Sequence, residues 1–94
     1  MSEGASAQAD VAITNKRGLH ARASARFVTL ASTFDAAITV TRDGACVTGT
    51  SIMGLMMLAA GPGETVRIAA TGAEANAAVN ALCALVESRF GEDR

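Results

Sequence analysis

The sequence predicts an α+β domain: a four-stranded, mostly antiparallel sheet covered on one face by three helices, in the order β-α-β-β-α-β-α. Three observations lead there. Short stretches in which apolar and polar residues alternate are separated by stretches with apolar spacings of three and four. The Asp43-Gly44 pair between two alternating stretches is the chemistry of a two-residue hairpin turn. The first and last helical stretches carry one apolar face each, which must be buried against another layer. With 94 residues the chain suits one core, expected over residues 9–91, behind a flexible tail at residues 1–8.

Val11-Ala12-Ile13-Thr14 alternates as a half-buried strand does, and Asn15-Lys16-Arg17-Gly18 then supplies turn chemistry. From His20 the period changes. Ala23, Phe27, Leu30, Ala31 and Phe34 form the apolar face of a first helix, with His20 at its start. Ala36 to Arg42 is the second strand, and Ala45 to Thr48, after the hairpin turn, is the third. Ser51 is a good N-cap for a short helix, Ile52 to Leu58, that is apolar on every side. Beyond the Ala60-Gly61-Pro62-Gly63 loop, Thr65 to Ala70 alternates as a fourth strand. Thr71-Gly72-Ala73-Glu74 has the form of a capping box. It precedes a stripe of Ala75, Ala78, Val79, Leu82, Leu85 and Val86, with Gly91 as the expected stop.

Half of the residues are hydrophobic, many of them Ala, with no Trp or Tyr, so helices can lie close on the sheet. The net charge of -1 argues against a nucleic-acid partner, although Lys16, Arg17, Arg22 and Arg26 make a local basic spot. The first eight residues have no cationic start and no apolar run, unlike a signal peptide. The most apolar stretch, Ile52 to Ala60, is far below the roughly 18 residues that a membrane span needs. A soluble, cytoplasmic monomer with no membrane partner is the expectation. Cys46 and Cys83 have no metal-ligand spacing and are expected as small buried hydrophobes. No cofactor or metal is expected.

His20 is the single histidine. At a helix start it lies beside backbone N–H groups that lack intrahelical partners, and the helix dipole there favours an anion. The same field disfavours an imidazolium and keeps the ring neutral and nucleophilic. Arg22 is placed to give a guanidinium to phosphoryl oxygens. With no neighbouring carboxylate or second histidine in this stretch, the pattern suits phosphoryl acceptance and release.

Asn15-Lys16-Arg17-Gly18-Leu19-His20-Ala21-Arg22 resembles the active-site signature of the HPr family, the phosphocarriers of the bacterial phosphoenolpyruvate-dependent phosphotransferase system. Ser51-Ile52-Met53-Gly54-Leu55-Met56 resembles the family's second signature, around a regulatory serine. The likeness runs from about Val11 to Arg89 and includes the spacing between the motifs. It implies an open-faced β-sandwich and a stoichiometric carrier, not an enzyme. His20 would be phosphorylated by enzyme I on the ring nitrogen nearer the backbone, then pass the group to a IIA-type protein, with Arg22 as charge partner. Ser51 would be phosphorylated by a dedicated ATP-dependent kinase, HPr kinase/phosphorylase. Ile52, Met53 and Met56 match the family's exposed docking patch, while Leu55 and Leu58 match core positions.

The chain departs from the family pattern at four positions. Ala23 follows Arg22 where many members have Pro, and Thr50 precedes Ser51 where many have Lys. Thr29 and Ser32 stand on the first helix where lysines are common, so electrostatic steering toward acidic partners is weaker. Sugar uptake and a nitrogen-related regulatory branch are equally open. A non-transfer regulatory module controlled through Ser51 is the alternative, and the His20–Arg22 pair argues against it.

Overall fold

A computed structural model describes residues 5–92. The elements are β1 (Ala5–Ala12), α1 (Ala21–Ala31), β2 (Ala37–Arg42), β3 (Ala45–Thr48), α2 (Ile52–Leu58), β4 (Thr65–Gly72) and α3 (Ala75–Glu87), then a 3-10 turn at Arg89–Gly91. The strands form one sheet in the order β1-β4-β2-β3. Each neighbouring pair is antiparallel. The expected fold class is the one observed.

Burial follows the pleat. On β4, Val66, Ile68 and Ala70 face the core while Thr65, Arg67 and Thr71 face solvent. Ile38 and Val40 on β2 extend the same buried face. Ala75, Ala78, Val79, Leu82 and Val86 of α3 lie over β1 and β4, and Ala75, Ala78 and Leu82 have no exposed surface. Small side chains on this helix let its backbone approach the sheet closely, as the Ala content predicts. Helix α1 adds Ala23, Phe27 and Ala31, and α2 adds Leu55 and Leu58.

Four expectations need correction. The first concerns the frayed tail over residues 1–8. Residues 1–4 lie outside the described residues, but Ala5–Gln8 pair with β4, from Ala5↔Gly72 to Gln8↔Ala69. β4 runs to Gly72, two residues beyond the expected strand, and its edge offers partners that the small side chains of β1 can occupy. Ala7 and Ala9 pack partly on the core, a signal that Ala conceals in a sequence.

The second is the capping box. Thr71 is in β4, paired with Ser6 and Ala37, so its hydroxyl is not at the helix start. Glu74 occupies the N-cap without a side-chain cap bond, and its carboxylate instead accepts from Asp35 N at 2.7 Å.

The third is the cysteines: Cys46 is exposed on β3 and Cys83 is only partly buried on α3. Strand β3 lies at a sheet edge and turns Cys46 outward. Burial, then the neighbouring Glu87 carboxylate, push the Cys83 thiol up.

The fourth is the end of α3, which stops at Glu87 and not at Gly91. Arg89, Phe90 and Gly91 all take left-handed backbone (φ 61°, 56° and 76°), and the turn drops the Phe90 ring fully into the core. A bulky residue with positive φ needs such anchoring. Phe90 has it from burial and from Arg26, whose guanidinium donates to its carbonyl at 2.6 Å.

Two glycines answer different demands. Gly44 (φ +83°) turns the β2–β3 hairpin, and a Cβ there would meet nothing within 4 Å. Gly18 (φ +66°) passes under the α2–β4 loop, where a Cβ would fall 2.3 Å from the Ala60 carbonyl oxygen. Gly44→Ala should therefore cost only the left-handed strain, about 1 kcal/mol. Gly18→Ala adds a backbone collision and should cost roughly 3 kcal/mol or more. Urea unfolding of both variants checks this, and equal losses would contradict it.

Candidate functional site

The segment between β1 and α1 is shaped by its own polar groups and by the α2–β4 loop. Asn15 is fully buried, and its amide donates to Gly18 O at 2.8 Å, closing the turn. Leu19 N donates to Ala60 O at 3.0 Å, and Leu19 is buried. Ser24, also fully buried, sends its hydroxyl back to Leu19 O at 3.3 Å. These bonds fix the backbone on both sides of His20.

His20 is the N-cap of α1, in extended backbone, and its ring Nδ1 accepts from Arg22 N at 3.2 Å. Its carbonyl accepts from Ser24 N at 2.9 Å, the first bond of the helix. The ring thus does what a Ser or Asp side chain does at other helix starts. Because Nδ1 accepts an N–H, its lone pair faces the amides of the first turn.

The other ring nitrogen meets a residue that no motif or spacing signals. Nε2 lies 2.6 Å from Glu92 Oε2, with the two side chains 20% and 15% exposed. With Nδ1 an acceptor, Nε2 carries the proton and donates it to the carboxylate. The other carboxylate oxygen accepts from the Asn15 amide at 3.1 Å. Asn15 therefore spends both amide protons, on Gly18 O and on Glu92, while its Oδ1 is buried without a protein partner. Such an orphaned acceptor costs free energy, which marks the arrangement as one the local structure enforces.

Desolvation alone would raise the Glu92 carboxyl. The hydrogen bonds from the His20 ring and Asn15, with the charge of Arg22 nearby, outweigh it, so the group sits below the usual carboxylate range.

Arg22 follows on the exposed face of the helix start. Its backbone amide reaches His20, whereas its guanidinium acts on Glu92 only through charge. It borders a shallow apolar groove lined by Ala25, Thr29, Leu30 and Leu85. Lys16 and Arg17 are exposed nearby. Arg26 of the expected basic spot is instead fastened to Phe90.

Ser51 caps α2, the helix that packs against α1. Its hydroxyl accepts from Gly54 N at 2.9 Å, a working N-cap. Helix α2 buries Leu55 and Leu58 and leaves Ile52 and Met56 each 40% exposed and Met53 71% exposed. Met57, at 78%, is the most exposed of the four and was not anticipated. Among the described residues there is no cluster of His, Cys, Asp and Glu able to hold a metal ion. Among them, too, no helix is long and apolar enough to cross a membrane.

An α+β domain with a capping histidine at a helix start and an arginine beside it offers the donor groups that an anion would meet. Residues 7–88 match the family model PTS-HPr, described as the PTS HPr component phosphorylation site, and the chain belongs to that family. Its members are phosphocarriers of the phosphotransferase system, not enzymes.

The chain is 49% identical over 85 residues to phosphocarrier protein HPr of Cupriavidus necator, covering 90% of this chain and 96% of that one. It is 45% identical over 82 residues to phosphocarrier protein NPr of Shewanella violacea, covering 87% and 90%. A crystal structure of HPr-C-His from Thermoanaerobacter tengcongensis superposes with a TM-score of 0.89 at 42% identity, covering 94% of this chain and 99% of that chain.

The lowered Glu92 carboxyl makes a pH prediction. A carboxylate whose folded value lies below its unfolded one stabilises the fold above the unfolded value, about 4.5. That stabilisation disappears as pH falls through the folded value. The excess thermal stability of the wild type over Glu92→Gln should therefore shrink between pH 5 and pH 3, read as the difference in Tm. A constant difference over that range would count against the pairing.

Proposed function

We propose that this protein carries a phosphoryl group on His20, at Nδ1, taking it from phosphorylated enzyme I and giving it to a IIA-type protein. The observation that carries the reading is His20 as N-cap, with its Nδ1 lone pair turned to the first-turn amides of α1. Attack through Nδ1 ends the bond from Arg22 N, and that N–H is then free to donate to a phosphoryl oxygen in the same place. The Arg22 guanidinium, exposed beside it, supplies a counter-charge. All of these groups come from one chain, so a monomer suffices. Residues 5–92 function as one unit, in the cytoplasm where the phosphotransferase cascade operates.

Docking uses the apolar surface of α2. Ile52, Met53 and Met56 are exposed side by side, and flexible thioethers repack against more than one partner. Ser51 is the regulatory position, phosphorylated by HPr kinase/phosphorylase. Its phosphate is electrostatically welcome at the helix start but brings negative charge to the edge of an apolar contact surface. Sugar uptake and a nitrogen-related branch both fit, and the chain is similar to a relative named HPr and to one named NPr. Sugar-permease genes beside this one favour the first. A regulatory enzyme I with a nitrogen-type IIA favours the second.

Incubation with enzyme I and labelled phosphoenolpyruvate should give an acid-labile, alkali-stable label that is absent from His20→Ala. That variant should stay folded and lose about 1 kcal/mol of stability with its cap. Label retained in His20→Ala would end the proposal. Absence of label from the wild type with a competent enzyme I would favour a regulatory module acting through Ser51. Ser51→Asp should keep the His20 chemistry and weaken enzyme I binding by about tenfold, the cost of one charge in an apolar contact. Titration calorimetry measures it, and unchanged affinity would remove the regulatory role.

A further inference from the structure

We propose that Glu92 is the positioning residue of this site. It holds the proton on His20 Nε2, so that Nδ1 keeps its lone pair for the phosphoryl group, and it balances the positive charge that the ring acquires. The inference rests on the reading of His20 as the acceptor and extends it to the group that orients the ring.

The geometry leaves the imidazole one neutral arrangement. Nδ1 accepts from Arg22 N at 3.2 Å and cannot carry a proton there, while Nε2 has a carboxylate oxygen at 2.6 Å. The opposite tautomer would aim an N–H at an N–H on one side and a lone pair at a carboxylate on the other. The carboxylate is itself oriented. Its second oxygen is held by the Asn15 amide at 3.1 Å, and the same amide nitrogen bonds Gly18 O at 2.8 Å, tying Glu92 to the turn that delivers His20. The backbone behind it is fixed by the buried Phe90 ring, by Arg26 on the Phe90 carbonyl, and by the bond from Glu92 N to Arg89 O at 2.9 Å. A carboxylate that fixes the tautomer of a histidine through the nitrogen remote from the reaction is the division of labour found in Ser-His-Asp sites.

The transfer step balances as follows. The Nδ1 lone pair forms the new N–P bond. The bond from phosphorus to the donor protein's imidazole nitrogen breaks, and its electron pair stays with that nitrogen. His20 keeps its Nε2 proton throughout, so its ring becomes cationic while bonded to the Glu92 carboxylate. The attraction is greater in the cationic product than in the neutral start, which is the condition for Glu92 to speed transfer and not merely to stabilise the fold.

Two variants separate the roles. Glu92→Gln keeps an acceptor for the Nε2 proton and loses the charge, whereas Glu92→Ala loses both. Single-turnover acceptance from phosphorylated enzyme I should slow by about tenfold in Glu92→Gln and further in Glu92→Ala. Ring nitrogen-15 NMR of the neutral imidazole should show the Nε2–H tautomer alone in the wild type and in Glu92→Gln, and a measurable Nδ1–H fraction in Glu92→Ala. A purely structural role would alter Tm without moving the tautomer. Acceptance rates within about twofold of the wild type, or an unchanged tautomer in Glu92→Ala, would overturn the assignment. A wild type that takes no phosphoryl group would remove the carrier reading instead, and the tautomer populations would then decide by themselves whether Glu92 orients the ring.

Discussion

The site depends on the passage of the chain beneath the Ala60 carbonyl. Gly18 lies against that carbonyl with no room for a Cβ, and the next residue, Leu19, donates its N–H to the same oxygen at 3.0 Å. This clamp joins two loops that are distant in sequence, one leaving β1 and one leaving α2. From it follow the burial of Leu19, the direction in which α1 starts, and the placing of His20 at the cap of that helix. The same clamp ties the loop that leaves α2 to the turn before His20.

The site balances opposite electrostatic tendencies on the two sides of one ring. On the Nδ1 side are backbone amides and the positive end of a helix, which favour an anion. On the Nε2 side is a carboxylate, which favours a proton. A ring between them is polarised along its length, with its lone pair toward the donors and its proton toward the acceptor. Asn15 holds this polarity in register by binding both the turn and the carboxylate, at the expense of its own unpartnered carbonyl oxygen.

The fold was legible because its elements change period cleanly. Alternation at Ile38–Thr41 and Thr65–Ala70, the Asp43-Gly44 turn and the stripe on α3 all agree with the elements observed. What escaped was written in residues without a period. The start of β1 is made of Ala, Ser and Gln, which pair through the backbone and show no apolar alternation. Thr71 and Glu74 have cap spacing, but the pairing of Thr71 with Ala37 prevails over the local preference. The placing of His20 and Arg22 at a helix start was legible because the period changes there. Glu92 was not, because it reaches His20 across 72 residues, delivered by a turn whose backbone is held by a buried phenylalanine. Contacts of that kind are set by tertiary packing and leave no trace in local spacing.

The cap itself has an energetic consequence. When the side chain that caps a helix is also the side chain that reacts, the strength of the cap and the chemical state of the ring are one linked equilibrium. A group attached at Nδ1 removes the acceptor that Arg22 N now uses and offers its own oxygens instead. On the proposed reading of His20, part of the free energy of the N–P bond would be expressed as a change in how firmly the first turn of α1 is wound. Melting the loaded and unloaded forms side by side would read out that share, so that heat resistance becomes a gauge of transfer potential.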